Sequence, residues 1–259
     1  MYFKDRVRTL VNKFFKIDKE YLCRIKLLKQ IPVLSFDGTE YETSLYNESL
    51  FLRNLSSDFE VYDQVILDEE YSFSNELYKT FFKGLPTVIF DIGANIGLTS
   101  LYYSNKYPEC KIFSFEAESN NYKQLEKNLK SYPNIKPLHL AIWFEETKLN
   151  ISSDFRDKRS WAFQVSKSEG NQLTQGLTLL QAMSVQEVEI IDILKIDIEG
   201  AEKQVLFDDD TINQVLDRTK IVCVEIHDEA VSRIAITNKL KDLGFDIYAK
   251  AETLFAVKK

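Results

Sequence analysis

Cysteine, histidine and glycine are scarce in this chain of 259 residues, and no long apolar run occurs in it. Three cysteines, Cys23, Cys110 and Cys223, are odd in number and far apart, which excludes a disulfide framework and a CxxC metal motif. They fit a reducing, cytoplasmic setting. No stretch reaches the roughly 18 to 20 continuous apolar residues that span a bilayer, and the start of the chain lacks the apolar core of a secretory signal. Positive charge is also short: 33 Lys and Arg stand against 40 Asp and Glu, a net charge of -7. Phosphate-backbone binding needs clustered cations, so no nucleic-acid partner is expected. With hydrophobic residues at 44% and charged residues at 28%, the composition is that of a folded globular protein of small-molecule-enzyme type.

The first thirty residues carry apolar positions at helical spacing, Val7, Leu10, Val11, Phe14 and Phe15, with Lys4, Arg6, Arg8 and Lys13 falling largely elsewhere. Such a stripe covers the protein's own core, or as a second reading rests peripherally on a membrane surface. Between Ile31 and Arg53 the period changes around Pro32 and Asp37-Gly38, which predicts a β-hairpin. Residues 1–53 therefore read as a helical and hairpin extension, and residues 54–259 as the main domain. Helical spacing at Val61, Val65, Ile66 and Leu67 follows, with a start near Ser57 or Asp58, and then a second helical segment, ELYKTFFKGL. From Thr87 on, apolar runs alternate with amphipathic segments, the pattern of a parallel sheet covered by helices on both faces. The predicted strands are 87–92, 110–116, 135–142, 190–198, 221–227, 245–249 and 254–257; the predicted helices between them are 95–106, 118–131, 202–209 and 229–243. An insert from Thr147 to Leu180, rich in Ser, Gln, Thr and Gly, is expected to be irregular or β structure packed over the site.

Four segments carry the chemistry. In VIFDIGANIGLTS an apolar strand enters a glycine turn and then a helix, the arrangement that places a ligand at the carboxyl end of a strand. Asp91 stands at the strand end, Gly93 permits a tight turn, and Gly97 permits close packing of the helix. A dinucleotide fingerprint would need glycine where Asn95 and Leu98 stand, which disfavours a nicotinamide oxidoreductase. The second strand ends on Glu116, whose carboxylate can accept from both hydroxyls of a ribose. The third segment, LKIDIEGAE, delivers Asp197 and Glu199 to one rim, with Gly200 as turn and Glu202 opening a helix. These carboxylates could act as base, favour a sulfonium or, as a lesser alternative, hold a divalent cation. Glu202 itself reads as a helix-start acid. The fourth, IVCVEIHD, ends on His227, suited to proton transfer, with Glu225 placed to orient it. The chain's other histidine, His139, reads as a residue inside the third strand.

Taken together, FDIGANIGLTS, FSFEAES, ILKIDIEGAE, VEIHD and a final GF with a short LF strand resemble the FkbM family of S-adenosylmethionine-dependent methyltransferases. LRNLSSDFEVYDQVILDEEY upstream matches too, with Ser57, Asp58, Gln64, Glu70 and Tyr71 in place, so the resemblance runs from about Leu52 onward. It implies an α/β, Rossmann-like class I methyltransferase fold: a mostly parallel seven-stranded sheet with an antiparallel last strand. The implied activity is methyl transfer to a hydroxyl of a sugar, glycan or natural product, so a carbohydrate or other small molecule is the expected acceptor. On this resemblance S-adenosylmethionine is the cofactor, with Asp91, Gly93, Asn95 and Gly97 at its methionine end and Glu116 on the ribose. Ala141 and Ile142 fall at the adenine, and Asp197, Glu199 and His227 face the reaction. A catalytically silent binding module is the rival from another class.

Overall fold

The computed structural model describes residues 19–152, 164–166, 173–227 and 232–258. Its contacts divide into two units, one ending at Asp63 and one beginning at Gln64. The apolar stripe from Val7 to Phe15 lies outside the described residues, as do most of the link between Ser152 and Leu173 and the start of the helix expected from Glu229. No helix among the described residues is long and apolar enough to cross a membrane.

The first unit contains helix α1 (Lys19–Leu28), strands β1 (Val33–Phe36), β2 (Glu40–Leu45) and β3 (Glu48–Arg53), and the short helix α2 (Asp58–Tyr62). The expected hairpin is a three-stranded antiparallel meander. At the first turn the Asp37 carboxylate accepts from the backbone N–H groups of Thr39 and Glu40. The second turn has positive φ at both Tyr46 and Asn47, the backbone twist that tight hairpins favour. Asp58 is fully buried and does not cap its helix. Instead it accepts from the Arg53 guanidinium at 2.7 and 3.0 Å and from the Arg53 N–H at 2.8 Å.

The second unit opens with a π-helical turn and helix α3 (Ser72–Phe81). Its main sheet comprises β4 (Val88–Ile92), β5 (Lys111–Phe115), β6 (Ile135–Leu138), β11 (Ile191–Ile196), β12 (Thr219–Glu225), β13 (Asp246–Lys250) and β14 (Thr253–Val257). Their spatial order is β13-β14-β12-β11-β4-β5-β6. All neighbours are parallel except the pairs made by β14, so the expected seven-stranded sheet with an antiparallel last strand is present. All six residues of β11 are buried, as a central strand covered on both faces requires. Helices α4 (Leu98–Lys106) and α5 (Ser119–Leu129) follow β4 and β5. Asp192 gathers the far end of the sheet: it accepts from Thr87 N–H, Val88 N–H and the Thr87, Tyr78 and Lys220 side chains. These donors outweigh its burial and hold the Asp192 carboxyl below its ordinary pKa.

Three expectations need correction. The strand expected over 135–142 is two: a tight turn closed by Leu140 N–H on Leu138 O, at 2.9 Å, separates β6 from β7 (Ala141–Ile142). Pro137 is tolerated because β6 is the sheet's edge. β7 belongs to a second, four-stranded sheet with β8 (Thr147–Ser152), β9 (Gln164–Ser166) and β10 (Leu173–Leu177), so the described part of the insert is β structure. His139 consequently sits outside any strand, exposed and stacked on Tyr122 with centroids 4.7 Å apart. The helix expected over 202–209 closes as a π-helical turn at Gln204–Asp208.

Candidate active site

β4 and β11 end side by side, and the turns beyond them make the site. Asp197 N–H bonds Ile92 O at 3.1 Å, while the Gly93 and Ala94 N–H groups both bond Phe115 O. Gly93 has φ of +76°, and a Cβ there would lie 1.7 Å from the carbonyl oxygen of Asp197. No other side chain fits that contact. Gly97, at φ +93°, begins α4 against Leu129, 3.1 Å from where a Cβ would stand. The glycine turn and the Asp197 backbone thus form one surface.

Lys195 holds that surface from beneath. A lysine near the end of a strand whose four other residues besides Asp192 are Ile or Leu was the signal for it in the sequence, and the motif reading passed over it. Its side chain is only 2% exposed; its Nζ donates to Gly93 O at 2.7 Å and pairs with Asp91 at 3.2 Å and Asp197 at 3.4 Å. Burial opposes its charge, yet Asp91 and Asp197 overcome that and keep Lys195 firmly protonated. Asp91 lies fully buried under the turn, accepting from the Ser100 hydroxyl at 2.6 Å as well as pairing with Lys195. It braces the turn, and Asn95, with φ of +51°, offers the acceptor nearest its mouth: the buried Asn95 Oδ1 has no hydrogen-bond partner.

Glu116 follows β5 and is 7% exposed. One of its oxygens accepts Asn95 N–H and the other Glu118 N–H, each at 2.8 Å. Each oxygen keeps a second lone pair, as a pair of ribose hydroxyls requires. Burial lifts the Glu116 pKa to about 7 against the pull of those two bonds. Ala141 and Ile142 are buried in β7. Trp143, next in line, was not anticipated: it shares a cluster with Ala141, Leu149, Ala201 and Ala117, and its buried indole N–H has no partner. That N–H is a donor suited to a heterocyclic base.

On the other side of the turn the rim gathers acids around one histidine. His227 is 1% exposed, with Nδ1 2.7 Å from Glu202 and Nε2 3.4 Å from Glu199 and 3.9 Å from Glu225. The orienting partner is therefore Glu202, which also accepts Gly200 N–H, and not Glu225. The capping reading of Glu202 missed this contact because it closes between residues 25 apart in sequence. Burial opposes protonation of His227, but the Glu202 bond and the charges of Glu202, Asp197 and Glu199 raise its pKa to about 9. That shift favours the charged form of the imidazole. The neighbouring Asp197 carboxylate, followed by burial, drives Glu225 well above the ordinary range. Glu70, another member of the rim unassigned by the motifs, accepts the Thr253 hydroxyl at 2.6 Å, and burial raises its pKa.

Gly93 and Asp197 therefore bring the glycine turn and the acidic rim together. The donor set fits S-adenosylmethionine: acceptors for an ammonium group and a ribose, and an indole N–H for the base. Comparison with known proteins agrees. Residues 91–247 match the model of the methyltransferase FkbM domain. The methyltransferase sdnD of Sordaria araneosa is 28% identical over 220 residues, covering 72% of this chain and 82% of that protein. The AMB antimetabolite synthetase AmbE of Pseudomonas aeruginosa is 24% identical over 246 residues, 78% of this chain but 11% of that protein's length. Among solved structures, precorrin-6y C5,15-methyltransferase from Geobacter metallireducens aligns with a TM-score of 0.43 and 14% identity over 74% of this chain and 88% of that one. The chain belongs to the FkbM family of S-adenosylmethionine-dependent methyltransferases.

Proposed function

We propose that this chain is an O-methyltransferase acting on a hydroxyl of a sugar, glycan or natural-product-like acceptor. The observation that carries the reading is the contact of Asp197 with the Gly93 turn, bridged by Lys195 at 2.7 Å from Gly93 O and 3.4 Å from the Asp197 carboxylate. A group held by Asp197 stands beside the cofactor's methionine end. S-adenosylmethionine supplies an electrophilic methyl group when bound. Asn95 Oδ1 would accept from its ammonium end and Glu116 from its ribose. Asp197, 24% exposed at its side chain, would accept the hydrogen bond of the acceptor hydroxyl, align its oxygen and take its proton as the oxygen–methyl bond forms and the methyl–sulfur bond breaks, its electron pair staying on sulfur. His227, locked by Glu202 at 2.7 Å, lies 3.4 Å from Glu199 and keeps that carboxylate oriented.

Family membership sets aside the nicotinamide alternative. A cytoplasmic setting belongs to the same proposal, supported by buried free thiols at Cys110 and Cys223. One variant and the wild-type chain test the assignment. Asp197→Asn is expected to keep S-adenosylmethionine affinity within about threefold while lowering kcat by roughly 100-fold or more, the scale of a general base. Unchanged kcat in Asp197→Asn defeats the role of Asp197. A wild-type chain that binds cofactor yet methylates no hydroxylated acceptor supports the silent-module rival instead.

A further inference from the structure

Three rim side chains bring one donor atom each to a common point. The ligand-type atoms of Asp197, Glu225 and His227 all lie within 4.8 Å of one another. Glu225 ends β12 and His227 follows it by two residues, while Asp197 follows β11, the adjacent parallel strand. The point is thus fixed by the sheet and not by a flexible loop. The set is mixed, two carboxylate oxygens and an imidazole nitrogen, and the imidazole is 1% exposed. Its Nδ1 is held by Glu202 at 2.7 Å, which aims Nε2 at the carboxylates. A histidine tethered through one ring nitrogen to a carboxylate, with the other facing acidic oxygens, has the orientation seen in metal-ligating histidines. Asp197 and Glu225 remain 24% and 13% exposed at their side chains, so water or an acceptor oxygen can enter the same point.

We propose that Asp197, Glu225 and His227 bind a single divalent transition-metal ion at the acceptor rim. The nitrogen donor favours Mn²⁺, Fe²⁺ or Zn²⁺ over Ca²⁺, which takes oxygen ligands. Resting on the reading of this rim as the acceptor site, the ion would hold the acceptor hydroxyl oxygen and ease loss of its proton to the free oxygen of Asp197.

Chelator-treated full-length chain, titrated calorimetrically with MnCl₂ and with ZnCl₂, tests this without any turnover. One saturable Mn²⁺ or Zn²⁺ per chain is expected. Glu225→Gln and His227→Gln should each weaken it at least about tenfold, and Glu202→Gln about 10- to 100-fold through the misaligned imidazole. Glu76→Gln, an exposed acid elsewhere, should leave it unchanged. Absence of saturable binding by either ion overturns the proposal, as does undiminished binding in both Glu225→Gln and His227→Gln. S-adenosylmethionine titrated into the same samples keeps the two readings apart: cofactor bound without metal overturns the metal site alone, whereas neither bound overturns the cofactor reading as well.

Discussion

Lys195 is the residue on which both halves of the site depend. Its 2% exposed side chain touches the Gly93 carbonyl, Asp91 and Asp197 together, so its removal leaves Asp91 buried without its cation. Lys195→Met should lower stability by about 3 kcal/mol in urea unfolding, the cost of an uncompensated buried charge, and weaken cofactor binding. Glu116 sets the pH dependence. Its folded pKa of about 7 lies above the ordinary 4.5, so folding favours its protonated form. That contribution to stability is complete below about pH 4.5 and is lost as pH rises through about 7. If Glu116 takes the proposed ribose contact in its ionised form, affinity for S-adenosylmethionine moves the other way: calorimetric titration should show affinity rising through about pH 7 and then levelling. Glu116→Gln should abolish that step and reduce affinity at pH 8 by about 10- to 100-fold, the equivalent of charge-assisted hydrogen bonds worth 1.5 to 3 kcal/mol.

At the scale of elements, the turn after β4 is the part least able to change. Gly93→Ala adds a Cβ that meets the Asp197 carbonyl at 1.7 Å, in a backbone region that L residues rarely adopt. A loss of more than about 4 kcal/mol, seen as a lower urea midpoint, with loss of cofactor binding, is expected. This turn was readable because its glycines are a local necessity: strand, turn and helix succeed one another within thirteen residues. The central strands β4, β5, β11 and β12 were readable for a similar reason, since parallel strands buried on both faces are mostly apolar runs. The break after Leu138 was not, because LHLAI has the same apolar texture on both sides of a turn that only backbone hydrogen bonding distinguishes. β structure was one of the two readings of the insert, but its pairing with Ala141–Ile142 was hidden, since those residues read as part of the third strand.

For the whole molecule, Asp197, Glu199, Glu225 and His227 could be placed on one rim from sequence, because each ends or follows a strand of one sheet. How they divide the work depends on contacts between distant segments. Glu202 takes the orienting role expected of Glu225, and the surrounding carboxylates raise the pKa of His227 against its burial. Glu70 joins from the upstream segment that resembles the family but was given no role, and Trp143 from a segment with no motif of its own. The acceptor's chemistry is where the account is most exposed. The most direct measurement is to incubate the purified chain with methyl-labelled S-adenosylmethionine and a panel of sugars, nucleotide sugars and hydroxylated metabolites, then locate the label by mass spectrometry and NMR. The account predicts a labelled methyl ether whose yield collapses in Asp197→Asn. Label on nitrogen, carbon or sulfur, or an equal yield from Asp197→Asn, would contradict it.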